Sequence, residues 1–137
     1  MYLLDTNVVS EAMHRRPDAR VMAWLLTLPA GSCAISTLTI GELRKGAEKP
    51  GIDALRRERL RHWLANDLRH WLGSNTLPVD EAVAERWGLI MASTHRTLAV
   101  VDALLAATAL HHNLRLVTRN VADFQGIAGL EIVNPWN

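Results

Sequence analysis

Asp5, Glu42, Asp102 and Asp123 are the residues of this chain whose type and setting could do chemistry. Asp5 ends the apolar run Tyr2-Leu3-Leu4 and is followed by two short polar side chains, Thr6 and Asn7. A run that short reads as a buried strand of a parallel sheet, and ligands bind at the carboxyl ends of such strands. Carboxylates brought together there repel, and burial raises their pKa values. A divalent cation resolves that conflict. Oxygen ligands with no accompanying His or Cys favour Mg²⁺ or Mn²⁺ over zinc, and such a site suits hydrolysis of a phosphodiester by an activated water.

The acids converge only if the intervening elements carry them to one edge. After the first strand, Asn7 to Met13 can form a short helix with Thr6 as its N-cap. Pro17 and Asp18 introduce a second helix carrying Val21, Trp24, Leu25 and Leu28. Cys33-Ala34-Ile35 is a second strand. Ser36 or Thr37 caps a helix to about Ala47 whose stripe is Ile40, Leu43 and Ala47, with Glu42 off that stripe in the second turn. Pro50-Gly51 interrupts the chain. Residues 52–72 predict a basic helix with Leu60, Leu64, Leu68, Trp71 and Leu72 on one face. Thr76 to Val79 is extended, and Asp80 caps a helix carrying Val83, Ala84, Trp87, Ile90 and Met91. After a loop at 95–97, Asp102 opens a helix of small residues. Leu114 to Thr118 is a strand, Arg119 to Phe124 a polar turn, and Leu130 to Val133 a last strand.

Strands alternating with helices predict a three-layer α/β/α sandwich around a mostly parallel sheet, with residues 1–137 as a single domain. In a right-handed strand–helix–strand unit each crossover helix starts at the sheet's carboxyl edge. Asp5, Glu42, Asp102, Thr118, Asn120 and Asp123 should therefore gather on that edge. Each also has a plainer role open to it. Asp5 and Asp123 suit turns, Glu42 could pair with Lys45 on its helix, Asp102 could be an N-cap, and Asn120 could close an Asx turn. Asp80 is assigned to capping alone.

Composition narrows the field. Apolar residues make up 49% of the chain and charged residues 21%, ordinary globular usage. The net charge of +1 gives no global attraction to nucleic acid. Residues 44–72 nevertheless hold eight of the 15 Lys and Arg against Glu48, Asp53, Glu58 and Asp67. That segment could touch RNA phosphates or be a solvated helix face. Cys33 is the only cysteine, which excludes an intrachain disulfide and suits a reducing cytoplasm. The six histidines lack metal-site spacing. Phosphate-binding glycine motifs are absent, and neither a signal sequence nor a membrane span is expected.

Four blocks taken together carry a family resemblance: Leu4-Asp5-Thr6-Asn7-Val8-Val9-Ser10-Glu11, Ser36 through Glu42 to Gly46, Asp102 through Ala109, and Val117-Thr118-Arg119-Asn120-Val121-Ala122-Asp123-Phe124. In this order and spacing the chain resembles a PIN domain. More narrowly it resembles the VapC-type toxins of bacterial toxin–antitoxin modules, including the FitB-like branch with its terminal Asn-Pro-Trp. The resemblance implies a Mg²⁺- or Mn²⁺-dependent endoribonuclease held by Asp5, Glu42 and Asp102. Many members carry Asp where this chain has Asn120. Others have Asn there and an acid three residues on, so Asp123 is expected to supply the fourth charge. Thr6, Asn7, Thr118 and Asn120 are expected to orient the ligands. The resemblance also implies an RNA substrate, a homodimer, and an antitoxin partner whose Arg reaches the acidic site. The competing expectation is a catalytically silent PIN-type module that binds nucleic acid or a protein through the same edge.

Overall fold

A computed structural model describes all residues, Met1–Asn137. Five strands form one sheet: β1 (Tyr2–Leu4), β2 (Cys33–Ser36), β3 (Thr76–Leu77), β4 (Arg115–Val117) and β5 (Ile132–Val133). Their order is β3-β2-β1-β4-β5, and every neighbouring pair is parallel. The chain therefore builds outward from β1 on one side, then crosses over and builds outward on the other. Strand β1 is where the direction reverses, the place at which open parallel sheets bind ligands.

The two-residue period of a strand explains the two helical layers. Leu3 faces one side of the sheet with Leu116 and Ala34, and Leu4 faces the other with Val117 and Ile35. On the Leu3 side lie α6 (Glu81–Ser93) and α7 (Val100–His111), together with Phe124 and Ile127. On the Leu4 side lie α1 (Thr6–Glu11), α2 (Ala19–Leu26), α3 (Thr37–Ala47), and the basic helix made of α4 (Ala54–His62) and α5 (Leu68–Leu72). Tertiary structure thus agrees with the expected three-layer α/β/α arrangement, and the sheet pairs are all parallel.

Local chemistry sets most boundaries as the sequence predicts. Asp18 accepts from the Arg20 and Val21 amides, Ser36 from Leu38, and Asp80 from Val83. Three expectations need correction. The cap of α1 is Asp5 rather than Thr6: Asp5 takes the extended backbone and accepts from the Thr6 amide. Helix α7 opens at Val100, after Ala99, so Asp102 lies inside the first turn and does not cap it. Trp71, expected on the apolar face, is 39% exposed.

The last correction has a geometric cause. Leu60, Leu64, Leu68 and Leu72 recur every fourth residue. In an α-helix such a row drifts about 40° per step at 3.6 residues per turn. Trp63–Asp67 is π-helical, with the Leu68 amide donating to the Trp63 carbonyl five residues back. That wider turn takes the drift back and keeps the leucines against the sheet. Leu64, Leu68 and Leu72 are buried, while Trp71 rotates outward. No helix is long and apolar enough to cross a membrane.

Candidate acidic site at the carboxyl edge of the sheet

Asp5 is the best-fixed of the four acids. The Asp5 amide donates to the Val117 carbonyl at 2.9 Å, which ties the end of β1 to the end of β4. One carboxylate oxygen, Oδ1, accepts from the Thr6 amide at 2.7 Å. The other, Oδ2, accepts from the Thr118 hydroxyl at 2.7 Å and lies 3.4 Å from the Asn7 side-chain nitrogen Nδ2. Asn7 also reaches the Thr118 hydroxyl at 3.4 Å, and its own Oδ1 accepts from the Arg119 amide at 3.4 Å. The Thr118 oxygen in turn accepts from the Asn120 amide at 3.0 Å. Thr118 is fully buried and Asp5 nearly so. Asn120 therefore joins this network through its backbone, and its side chain is not among the bonded groups.

Glu42 approaches from α3, whose N-terminus is set by Ser36 at the end of β2. Its Oε1 accepts from the Thr6 hydroxyl at 2.6 Å. Thr39, one turn earlier and 1% exposed, places its hydroxyl 3.4 Å from the same Thr6 oxygen. Thr39 was not singled out from the sequence. The available signal was its position three residues before Glu42 on the same helix face.

Asp102 is half-buried in the first turn of α7, where the helix's positive end partly offsets its charge. Asp123 is exposed in the 3₁₀ turn Val121–Phe124, just past β4. None of Asp5, Glu42, Asp102 and Asp123 is in an ion pair; the acids that are paired are Glu11, Asp18, Glu48, Glu58 and Glu131.

Asp5 and Asp102 feel the charge of the other edge acids. Burial raises the Asp5 pKa above its ordinary 3.8; bonds from Thr118 and Thr6 oppose the rise, and the charges of Glu42 and Asp123 add to it. Burial likewise raises Asp102, with Asp5, Asp123 and Glu42 adding to it and Arg96 opposing. Acids from four distant chain segments thus lie near enough for their charge to act on Asp5 and Asp102. As they stand, no three His, Cys, Asp or Glu side chains cluster tightly enough to enclose an ion.

The arginines of the basic helix divide by their partners. Arg61 pairs with Glu48 and Glu58, and Arg57 donates to the Ala47 and Lys49 carbonyls. Arg56 and Arg59 have no acidic partner. With His14 and Arg15 they line a cavity of about 250 Å³ between the end of α1 and α4.

Fold and edge together define the class, and comparison with known proteins agrees. The PIN domain model matches residues 2–130, and the chain belongs to the PIN domain family. It is 35% identical to Toxin FitB of Neisseria gonorrhoeae over 100% of this chain and 99% of that one. It is 33% identical to VapC ribonuclease Y4jK of Sinorhizobium fredii, covering 99% and 98% of the two chains. Among solved structures, FitAcB from Neisseria gonorrhoeae superposes with a TM-score of 0.90 at 35% identity, over 100% of this chain and 99% of that chain.

Proposed function

We propose that this chain is a metal-dependent endoribonuclease, the toxin of a toxin–antitoxin pair, acting in the cytoplasm and neutralised by a cognate antitoxin. The observation that carries the reading is the unpaired acidic edge. Asp5 and Asp102 hold raised pKa values among like charges, with no basic side chain paired to any of the four acids. Partly buried charge among like charges is costly, so Asp5 and Asp102 suit a ligand of opposite sign. Membership of the PIN family and likeness to proteins named as a toxin and as a ribonuclease support the same reading.

The donor set fits Mg²⁺ or Mn²⁺. It offers carboxylate oxygens alone, and Mg²⁺ commonly keeps several waters and takes only one or two carboxylates, so a closed cage of acids is not required. Asp5, Glu42, Asp102 and Asp123 would hold the ion. Bound there, it would lower the pKa of an attacking water and screen the charge that develops on the phosphate.

The chain's own groups do the positioning. Thr118 and the Thr6 amide fix the Asp5 carboxylate in one orientation, and the Thr6 hydroxyl tethers Glu42. Arg15, Arg56 and Arg59 offer guanidinium groups to RNA phosphates away from the cut. An antitoxin Arg could occupy the edge instead, since a guanidinium binds carboxylates in bidentate fashion and replaces the cation's charge. A homodimer completes the proposed assembly.

The test is incubation of the purified chain with total cellular RNA in Mn²⁺ or Mg²⁺, with sequencing of the cut ends. Cleavage by the wild type that is absent in EDTA and absent in Asp5→Asn supports the proposal. RNA binding without cleavage in either metal overturns it in favour of a silent binding module.

A further inference from the structure

Asp123, like Asp102, is an acid of the edge whose position rests on backbone alone. Its side chain makes no hydrogen bond or ion pair, so whatever holds the turn Val121–Phe124 holds the carboxylate. From beneath, Phe124 anchors the turn in the core at 1% exposure. From outside, a single guanidinium closes it. Arg96, in the loop between α6 and α7, donates through Nη2 to the Asp123 carbonyl at 2.8 Å, the Gln125 carbonyl at 2.9 Å and the Ala122 carbonyl at 3.2 Å. Its Nε donates to the Gln125 carbonyl at 3.1 Å.

A turn of four residues leaves its last carbonyls without helical partners, and here one side chain supplies the donors. The same loop leads into α7, six residues before Asp102. The geometry points to Arg96 as a positioning residue of the acidic edge: it clamps the turn that carries Asp123 to the loop that feeds Asp102, and so sets the separation of two of the four acids. The inference rests on the metal-site reading and names how one part of that site is held. A planar fork suits this task, and a lysine ammonium does not reproduce it.

The test compares wild type, Arg96→Gln, Arg96→Lys and Asp123→Asn by two measurements that need no catalysis. The first is amide hydrogen exchange at residues 121–125. The second is Mn²⁺ affinity read by electron paramagnetic resonance of the free ion. Arg96→Gln is expected to speed exchange in the turn about tenfold or more and to weaken Mn²⁺ binding by about 10–100-fold, the range for groups that orient metal ligands. Arg96→Lys keeps the charge near Asp102 and is expected to lose protection as well. In an Asp123→Asn background, Arg96→Gln should weaken Mn²⁺ binding no further, because the carboxylate it positions is gone.

Unchanged exchange in Arg96→Gln overturns the clamp. Wild-type protection and affinity in Arg96→Lys overturn the fork in favour of simple charge. Wild-type Mn²⁺ binding that Arg96→Gln leaves unaltered overturns this inference alone. A wild-type chain that binds no Mn²⁺ overturns the metal-site reading together with it.

Discussion

The molecule carries two clusters of charge, and they are built on opposite terms. On α4 and its neighbour α3, Arg44, Glu48, Glu58 and Arg61 meet partners in water. Arg61 bonds Glu48 at 2.9 Å through Nε and Glu58 at 3.0 Å, and its bond to Glu48, with that of Arg44, holds the Glu48 carboxyl down at about 2. At the carboxyl edge of the sheet, acids meet other acids, hydroxyls and amides but no paired cation, and the two most buried members are pushed upward. The first arrangement satisfies itself within the fold. The second does not, and it sits where the sheet changes direction. Charge density alone does not separate the two clusters; what separates the second is like charge kept unpaired and partly buried.

The comparison breaks first at Asp102→Asn, the change with the largest expected effect. RNA cleavage should fall to the EDTA background while the melting temperature stays within a few degrees of wild type. Retained metal-dependent cleavage would show that the edge acids are dispensable. Next in size is Leu68→Ala, which tests the apolar side of the basic helix. Leu68 is 1% exposed, and its truncation should cost about 2–5 kcal/mol in a denaturant titration.

Thr118→Val keeps the shape of the side chain and removes the donor to Asp5 and the acceptor for the Asn120 amide. A loss of about 1–3 kcal/mol in stability and about 10–100-fold in Mn²⁺ affinity is expected.

A pH series sharpens the contrast further. The folded chain keeps protons on Asp5 and Asp102 to higher pH than the unfolded chain does. Metal-free stability should therefore be unaffected by these groups below about 4 and fall as pH rises through their raised folded values. Asp5→Asn, expected to be inactive, should then melt higher than wild type at pH 7 in EDTA, and this gap should close toward pH 3. A lower melting temperature for Asp5→Asn at pH 7 would mean that its hydrogen bonds outweigh its desolvation. The smallest effect belongs to Arg61→Ala. Its ion pairs are solvent-exposed, so the melting temperature should not move measurably.

Much of this was legible along the chain. Caps such as Asp18, Ser36 and Asp80 act through bonds to amides two or three residues away, so local sequence suffices for them. The four acids could be assigned to one edge because crossover handedness dictates where each helix begins. Less legible were features whose partner lies far off in sequence. Thr39 matters through Thr6, and Arg96 through carbonyls 26 to 29 residues later. The start of α7 was missed by two residues because Ala99 offers no capping side chain, and Asp102 looked like the cap it is not.

By itself, then, the sequence determined the alternation of strands and helices and most of the local caps, because periodicity and short-range hydrogen bonding are properties of neighbouring residues. Only the tertiary structure decided which hydroxyl holds which carboxylate, that α4 and α5 join through a π-helical turn, and that one arginine closes the turn of Asp123. Those outcomes depend on distances between segments up to 113 residues apart, and such distances exist only once the sheet has brought β1 beside β4.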